Sequence, residues 1–443
     1  MSCTQTNGIQ NASQVDVSIG LQNSFGTPNY QNIEHINAQT TDPSQGTVTI
    51  QTKTRIGAKT NFDVQKTLTN VDKSITIHNT PNQLNTLSQW AFGEPTYSDD
   101  LHLELLQIIN NNSLNNPKIT YSVVATAETV KLIKNDTSTG VSVATDLASV
   151  NLPTAISGVI TAINAVTGFS ATQLIGSATT QWNFVGTVAL EVYGIVPATT
   201  TQSTEAQISI YSPLSNCPKF ATLIHTLFKD NTTEKEYRAD VDCLVQSMNI
   251  TLPKDDTSTI EISYLASKNL DVPSVSIGTP KPNDTATLYK SSEGLYDITL
   301  GEYQFPTITE VSSSLTLTNN PDKGWKGNQL NTGISSFMYE SQINAYLTKE
   351  IYTYITNSYE TNIESESYIP TIMRILNQQF VDETNSIPYQ FMYIIPRAKI
   401  TQAPTFTVEA GATIPFPFTI QATDTAETTD FRSLYFVVIH KKI

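Results

Sequence analysis

Cysteine is nearly absent from this chain. Cys3, Cys217 and Cys243 are the only three in 443 residues, too few and too odd in number for a disulfide framework. They read as small buried apolar groups or a free N-terminal thiol, which suits a reducing cytoplasm. Charge is sparse as well, at 15%, and what there is leans acidic: 40 acids against 25 bases give a net charge of −15. Such a surface repels phosphates, which disfavours direct capture of nucleic acid. No apolar run is long enough to span a bilayer. The longest, Leu152 to Phe169, is interrupted by Thr, Ser and Asn. The opening Met-Ser-Cys-Thr-Gln-Thr-Asn-Gly carries neither the basic patch nor the apolar stretch of a secretory leader. Synthesis as a soluble cytoplasmic protein is therefore expected. The Asn-x-Ser/Thr triplets at Asn135, Asn231, Asn249 and Asn283 then read as chance matches.

Recognisable chemistry is missing too. The five histidines, His35, His78, His102, His225 and His440, form no His-x-x-His pair, and there is no Cys-x-x-Cys. His78 and His225 fall inside strand patterns and read as structural. There is no Gly-x-Ser-x-Gly elbow. Gly57-Ala58-Lys59-Thr60 lacks the glycine before lysine, and the second one five residues earlier, that a phosphate loop needs. Asp99 and Asp100 with His102, or Asp240 with Asp242, can be drawn as acid pairs, but turn and strand-exposed carboxylates are the plainer reading. Catalytic residues, metal and cofactor are all expected to be none.

Thr, Ser, Asn and Gln are abundant instead, a mixture that favours strands and turns over helices. Residues 1–45 read as an extended polar N-terminal arm. From Gly46 alternating strands begin, running to Ser74–His78. A short helix follows, with Thr80 as cap, Pro81 at its first position, Leu84, Leu87 and Ala91 on one face and Gly93 at its end. Residues 97–215 differ in flavour and read as a small inserted α+β domain. Its helix opens at Pro153, carries the stripe Ile156, Val159, Ile160, Ile163 and Val166, and closes at Gly168. Residues 46–96 with 216–270 form a first unit, 271–304 a linker and 305–443 a second unit.

The two units read as a duplication. Phe228, Asp230, Thr232 and Tyr237 match Phe380, Asp382, Thr384 and Tyr389 at one constant offset, and Pro253 and Pro404 nearly keep it. Both sites share the order strand, turn, strand, strand, Pro, turn, strand. Each unit also carries a long hairpin loop, Thr54–Phe62 with Arg55 and Lys59, and Asn319–Gly333 with Lys323, Trp325 and Lys326. Long loops inside compact domains are usually functional, and an aromatic flanked by cations suits a contact surface. Lys349–Tyr359 fits a helix equivalent to 81–92, although its alternation also permits a strand.

Three passages carry a resemblance. They are the strand–helix run Ser74–Gly93 with its Leu-x-x-Leu-x-x-Trp-Ala-Phe-Gly ending, Ser312-Ser-Ser-Leu-Thr-Leu-Thr-Asn-Asn with Tyr339-Glu-Ser-Gln-Ile-Asn-Ala-Tyr-Leu, and the C-terminal order of hairpin, Pro and strand. In pattern and order, without an invariant motif, the chain resembles the major tail tube proteins of long-tailed, siphovirus-like bacteriophages in their double-unit form. The likeness spans roughly 45–95, 216–270 and 305–443. It implies a mainly β fold: two tandem tail-tube-type antiparallel β-sandwich units with short flanking helices, plus the inserted domain, which looks like a decoration module. It further implies a non-enzymatic virion protein of a non-contractile tail, assembled in the host cytoplasm. Three chains would form a pseudo-hexameric ring, with Arg55, Lys59, Lys323, Trp325 and Lys326 at contacts between stacked rings. Its partners would be other copies of itself, the tape measure protein in the lumen, the tail terminator and tail tip proteins, and DNA passing an acidic wall without specific binding, with no membrane involved. The alternative, a β-rich phage receptor-binding or adhesin protein, calls for an aromatic carbohydrate cleft or a trimeric C-terminal tip. A glycan-processing enzyme calls for two close carboxylates.

Overall fold

The computed structural model describes residues 15–43, 48–53, 63–68, 71–95, 104–112, 118–175, 177–190, 193–199, 205–211, 219–227, 235–253, 256–273, 276–281, 288–289, 296–300, 303–305, 308–323, 329–365, 369–384, 386–402, 405–406, 408, 413–422 and 434–442. In chain order they form β1 (Asp16–Gln22), β2 (Glu34–Ile36), β3 (Ala38–Thr40), β4 (Val48–Lys53), β5 (Asp63–Leu68), β6 (Val71–His78) and α1 (Pro81–Phe92). Next come β7 (Leu105–Asn110), β8 (Ile119–Ala125), β9 (Thr129–Asp136), β10 (Val143–Asn151), α2 (Ile156–Asn164), β11 (Phe169–Ile175), β12 (Gly186–Leu190) and β13 (Tyr193–Pro197). Then β14 (Ala206–Tyr211), β15 (Phe220–Leu227), β16 (Glu236–Leu252), β17 (Thr259–Ala266) and β18 (Lys268–Asp271) follow. The last stretch holds β19 (Tyr296–Leu300), β20 (Tyr303–Gln304), β21 (Ile308–Lys323), β22 (Gln329–Tyr346), α3 (Lys349–Ser365), β23 (Ile369–Asp382), β24 (Ile387–Ile400), β25 (Pro415–Ala422) and β26 (Tyr435–Lys441). The protein is mainly β, with antiparallel ladders.

One layout occurs twice. A long hairpin comes first: β3 and β4 run against β6 and β5 in the first unit, β21 against β22 in the second. A helix follows, α1 or α3. Then comes a hairpin whose second strand is long, β15–β16 or β23–β24. The front half of that long strand also pairs with a short return strand, β18 or β26, and its back half with β17 or β25. Strands β17 and β25 close back onto the long hairpin through β6 and β22. β1 flanks β15 as β19 flanks β23.

In β16 the two halves belong to different ladders, and the change-over is visible in the backbone. Asp242 has φ 54°, and the register shifts between Ala221 and Leu223 on the neighbouring strand. An extra residue at such a point bends the strand and re-aims its side chains. Asp242 holds the bend by accepting hydrogen bonds from Gly26 N and Ser267 Oγ, both at 2.7 Å.

The helices match the sequence pattern closely but not at every residue. α1 begins at Pro81, and Gly93, with φ 89°, ends it by donating to Gln89 O. Thr80 does not cap through its side chain, because its hydroxyl is buried away from the first turn's amides and finds no partner. α2 starts at Ile156 and stops at Asn164, shorter than the expected span from Pro153 to Gly168. The stretch after Tyr346 is helical as α3, because Ile351 and Ile355 lie one turn apart and both bury at 0% exposure.

Pairing also places several segments differently from their sequence grouping. β14, within 97–215, pairs with β26 of the second unit. β19, within 271–304, pairs with β23, and Tyr289 nearby is buried against Phe391. β1, within the N-terminal arm, pairs with β15 along its whole length. The remaining inserted strands form two sheets, β10–β9–β8–β12 and β11–β7–β13. β7 splits by alternation: Leu106 and Ile108 pack with the α2 core, Leu105 and Ile109 with Ile208, Met392 and Val437. Elsewhere one cluster is shared by both units, from Ile75, Leu84 and Trp90 to Ile343, Phe391 and Phe436.

Candidate assembly interface

The contact joining the two units is built from backbone. β21 lies along the back half of β16, with Ser247 opposite Thr316 and Leu252 opposite Val311. Met248, Ile250 and Leu252 on one strand and Val311, Ser313 and Leu315 on the other turn inward and are buried. A cross-strand ladder with one apolar face fixes register, because a slip by one residue exposes the whole set. Ser313 Oγ is satisfied by Ser341 Oγ at 3.1 Å and by Tyr339 OH, which donates to it at 3.2 Å. The contact is heterologous, since the back of a long strand in one unit meets the first hairpin strand of the next.

The hairpins that begin at this joint are long. β21 has 16 residues and β22 has 18, about 50 Å of arm at ~3.3 Å per residue. Much of the expected loop 319–333 is therefore strand: Asn319, Pro321 and Lys323 lie in the ladder with β22, and strand resumes at Gln329. Lys323 closes β21 opposite Gln329, whereas Trp325 and Lys326 lie outside the described residues, as do Arg55 and Lys59. The contact roles expected of these five thus have only the hairpin backbone beside them.

No protein-family model matches the chain, and no curated protein matches it.

Sequence reasoning missed a buried polar cluster at the root of the first hairpin. Asp240, expected on an exposed strand face, has a side chain at 0% exposure and accepts from Lys73 Nζ at 2.9 and 3.0 Å. Tyr264 OH donates to it at 2.8 Å and Asn269 Nδ2 at 2.6 Å, and His225 Nε2 sits 3.3 Å away. His225 Nδ1 in turn lies 3.1 Å from the Thr41 hydroxyl. Burial alone would raise the Asp240 carboxyl, yet the bond and charge from His225, the charge of Lys73 and the Asn269 amide hold it below its usual range. The same burial and the neighbouring Asp240 push the Tyr264 phenol well up. Five strands, β6, β15, β16, β17 and β18, meet in these few side chains. Asp242 is buried as well, in its bend-holding role. The missed signal was Lys73 itself, a lysine at the inward step of the alternation through Ile75 and Ile77.

Chemically the Asp240 carboxylate is saturated. Each Asp240 oxygen is spoken for, and among the described residues no three His, Cys, Asp or Glu side chains come together as a metal site. Glu104 in the insert is the other notable carboxyl. Burial raises it, while Thr180, the Ser177 amide and Gln173 hydrogen-bond it, so it ties a turn beside α2.

Proposed function

We propose that the protein is the structural subunit of a bacteriophage tail tube, polymerising as three-chain, pseudo-hexameric rings that stack around a channel for DNA. The observation that carries this reading is the open joint between two alike units. A head-to-tail contact between equivalent bodies does not satisfy itself, as a twofold contact would. It leaves one unit's giving surface and the other's receiving surface for further copies, and such contacts propagate into closed rings or helical filaments. Ring closure has the added merit of covering sheet edges. The paired long hairpins are suited to reach beyond their own ring. A net charge of −15 suits a conduit along which phosphates pass without adhering.

Electron microscopy of the purified full-length chain, with mass measurement in solution, tests the reading. Hollow tubes or three-chain rings with sixfold-looking projections are the expected result. A monomer or solid trimer that never stacks at any concentration would sink it.

A further inference from the structure

The internal repeat makes one surface of the chain legible. On α1, residues 82, 85, 89 and 92 lie on one face by helical spacing. That face is covered from outside its own unit. Lys441 N of β26 donates to Asn82 Oδ1 at 3.0 Å, and Tyr211 OH of β14 bonds Asn85 Oδ1. Phe92 stacks on Phe436 of β26 with ring centres 5.6 Å apart, and lies 6.0 Å from Tyr211.

The equivalent face of α3 follows from aligning the two helix starts. Tyr352 N donates to Thr348 O at 2.9 Å as Leu84 N donates to Thr80 O at 2.9 Å, so the first turns of the two helices correspond. In that register Asn82, Asn85, Gln89 and Phe92 become Glu350, Thr353, Asn357 and Glu360. All four are exposed. Ile351 and Ile355 are buried like their counterparts Gln83 and Leu87, and α3 packs on β24 as α1 packs on β16, although Tyr352, the counterpart of buried Leu84, is 44% exposed. The face that α1 presents to the other unit is open on α3.

We propose that this face of α3, Glu350, Thr353, Asn357 and Glu360, seats the first unit of a second copy of the chain around β18. The inference rests on the tube reading and deepens it by naming the chain-to-chain surface. β18 is the first unit's counterpart of β26, because each pairs with the front half of its unit's long strand. It presents Lys268 and Leu270 to solvent, the latter at 40% exposure. The lysine complements the two glutamates of α3. The joint inside the chain is aromatic and the joint between chains is polar, a difference expected where one surface must stay soluble until assembly.

The test uses the full chain carrying Thr353→Arg with Asn357→Arg. A control carries Ser157→Arg with Thr161→Arg, exposed positions on α2. Far-ultraviolet circular dichroism and the melting temperature of the unassembled protein are expected to match wild type in both. Rings and tubes, scored by electron microscopy and sedimentation, are expected to be lost in the α3 variant and kept in the control. Lys268→Glu is expected to weaken assembly, and adding Glu350→Lys and Glu360→Lys to restore it. If wild type and α3 variant assemble alike, this surface is wrong and the tube reading stands. If wild type never assembles, both fall. Loss of assembly in the α2 control as well, or no rescue by the charge exchange, overturns the assignment.

Discussion

Replacing Asp240 by Asn removes one negative charge and almost no volume from the root of the first hairpin. The Lys73 ammonium, 2% exposed, then faces a neutral amide in place of its carboxylate. Breaking a buried ion pair from one side costs about 3–5 kcal/mol, because the remaining charge stays desolvated. Tyr264 and Asn269 also keep a weaker acceptor, which places Asp240→Asn toward the upper end. The double replacement Lys73→Met with Asp240→Leu removes both charges together and is expected to recover most of the loss, since apolar substitutes for a buried pair are often neutral or stabilising. Denaturant unfolding followed by tryptophan fluorescence measures this in the right place, as Trp90 packs 5.6 Å from Tyr264. A loss below ~1 kcal/mol for Asp240→Asn, or a double variant no better than the single, would refute the reasoning. The pH dependence has a fixed sign. The folded carboxyl is held below its ordinary value, so its contribution is complete above pH ~4 and disappears as pH falls through the folded pKa.

His440 gives a second pH effect. Burial lowers its imidazole to about 4, and in the neutral ring Nδ1 donates to Lys441 O while Nε2 accepts from Ser209 Oγ. The unfolded chain takes up a proton near pH 6.5 and the folded one does not. About 3 kcal/mol of stability is therefore expected to drain between pH 6.5 and 4, and His440→Gln is expected to flatten that slope in pH-dependent melting. Gly20→Ala would drive its new methyl into the carbonyl oxygen of Asn29 and to 3.1 Å from Ile33 Cγ2. Loosening of β1, read as faster amide exchange over residues 16–22, is expected at a cost of ~1–3 kcal/mol. Trp90→Phe removes the 2.9 Å bond from Nε1 to Cys243 O as well as packing volume. It is expected to lower unfolding free energy by ~1–3 kcal/mol, measured in urea.

Much of the architecture could be read from residues, and the reasons are local. α1 announced itself through Pro81, the Leu84–Leu87–Ala91 face and Gly93, all signals that act within one turn. The strands on either side of the two matched turns pair as hairpins, β15 with β16 and β23 with β24, while Phe228, Asp230 and Thr232 of the first turn lie outside the described residues. What stayed hidden depends on partners far away in sequence. β7 is apolar on both faces because it sits between two cores, so Leu105–Asn110 lacks the alternation that betrays a half-buried strand. Asp240 looks like any exposed strand carboxylate until Lys73 arrives from 167 residues away. The reach of the 319–333 hairpin was underestimated because Pro321 and Asn319 read as loop residues, yet at a register irregularity a strand tolerates both. The α3 face proposed above carries no mark in the sequence, since only its covered twin on α1 distinguishes it.

Fusing two units has a kinetic consequence. The β16–β21 joint closes within a single molecule, where linked partners meet at an effective concentration in the millimolar range. It can form before any encounter in solution, and dilution cannot undo it. On the tube reading, a six-unit ring then requires three bimolecular joints in place of six, and the steep concentration threshold of ring assembly softens accordingly. Each building block also arrives with one seam already checked for register, so errors of stacking order can enter only at the seams between molecules.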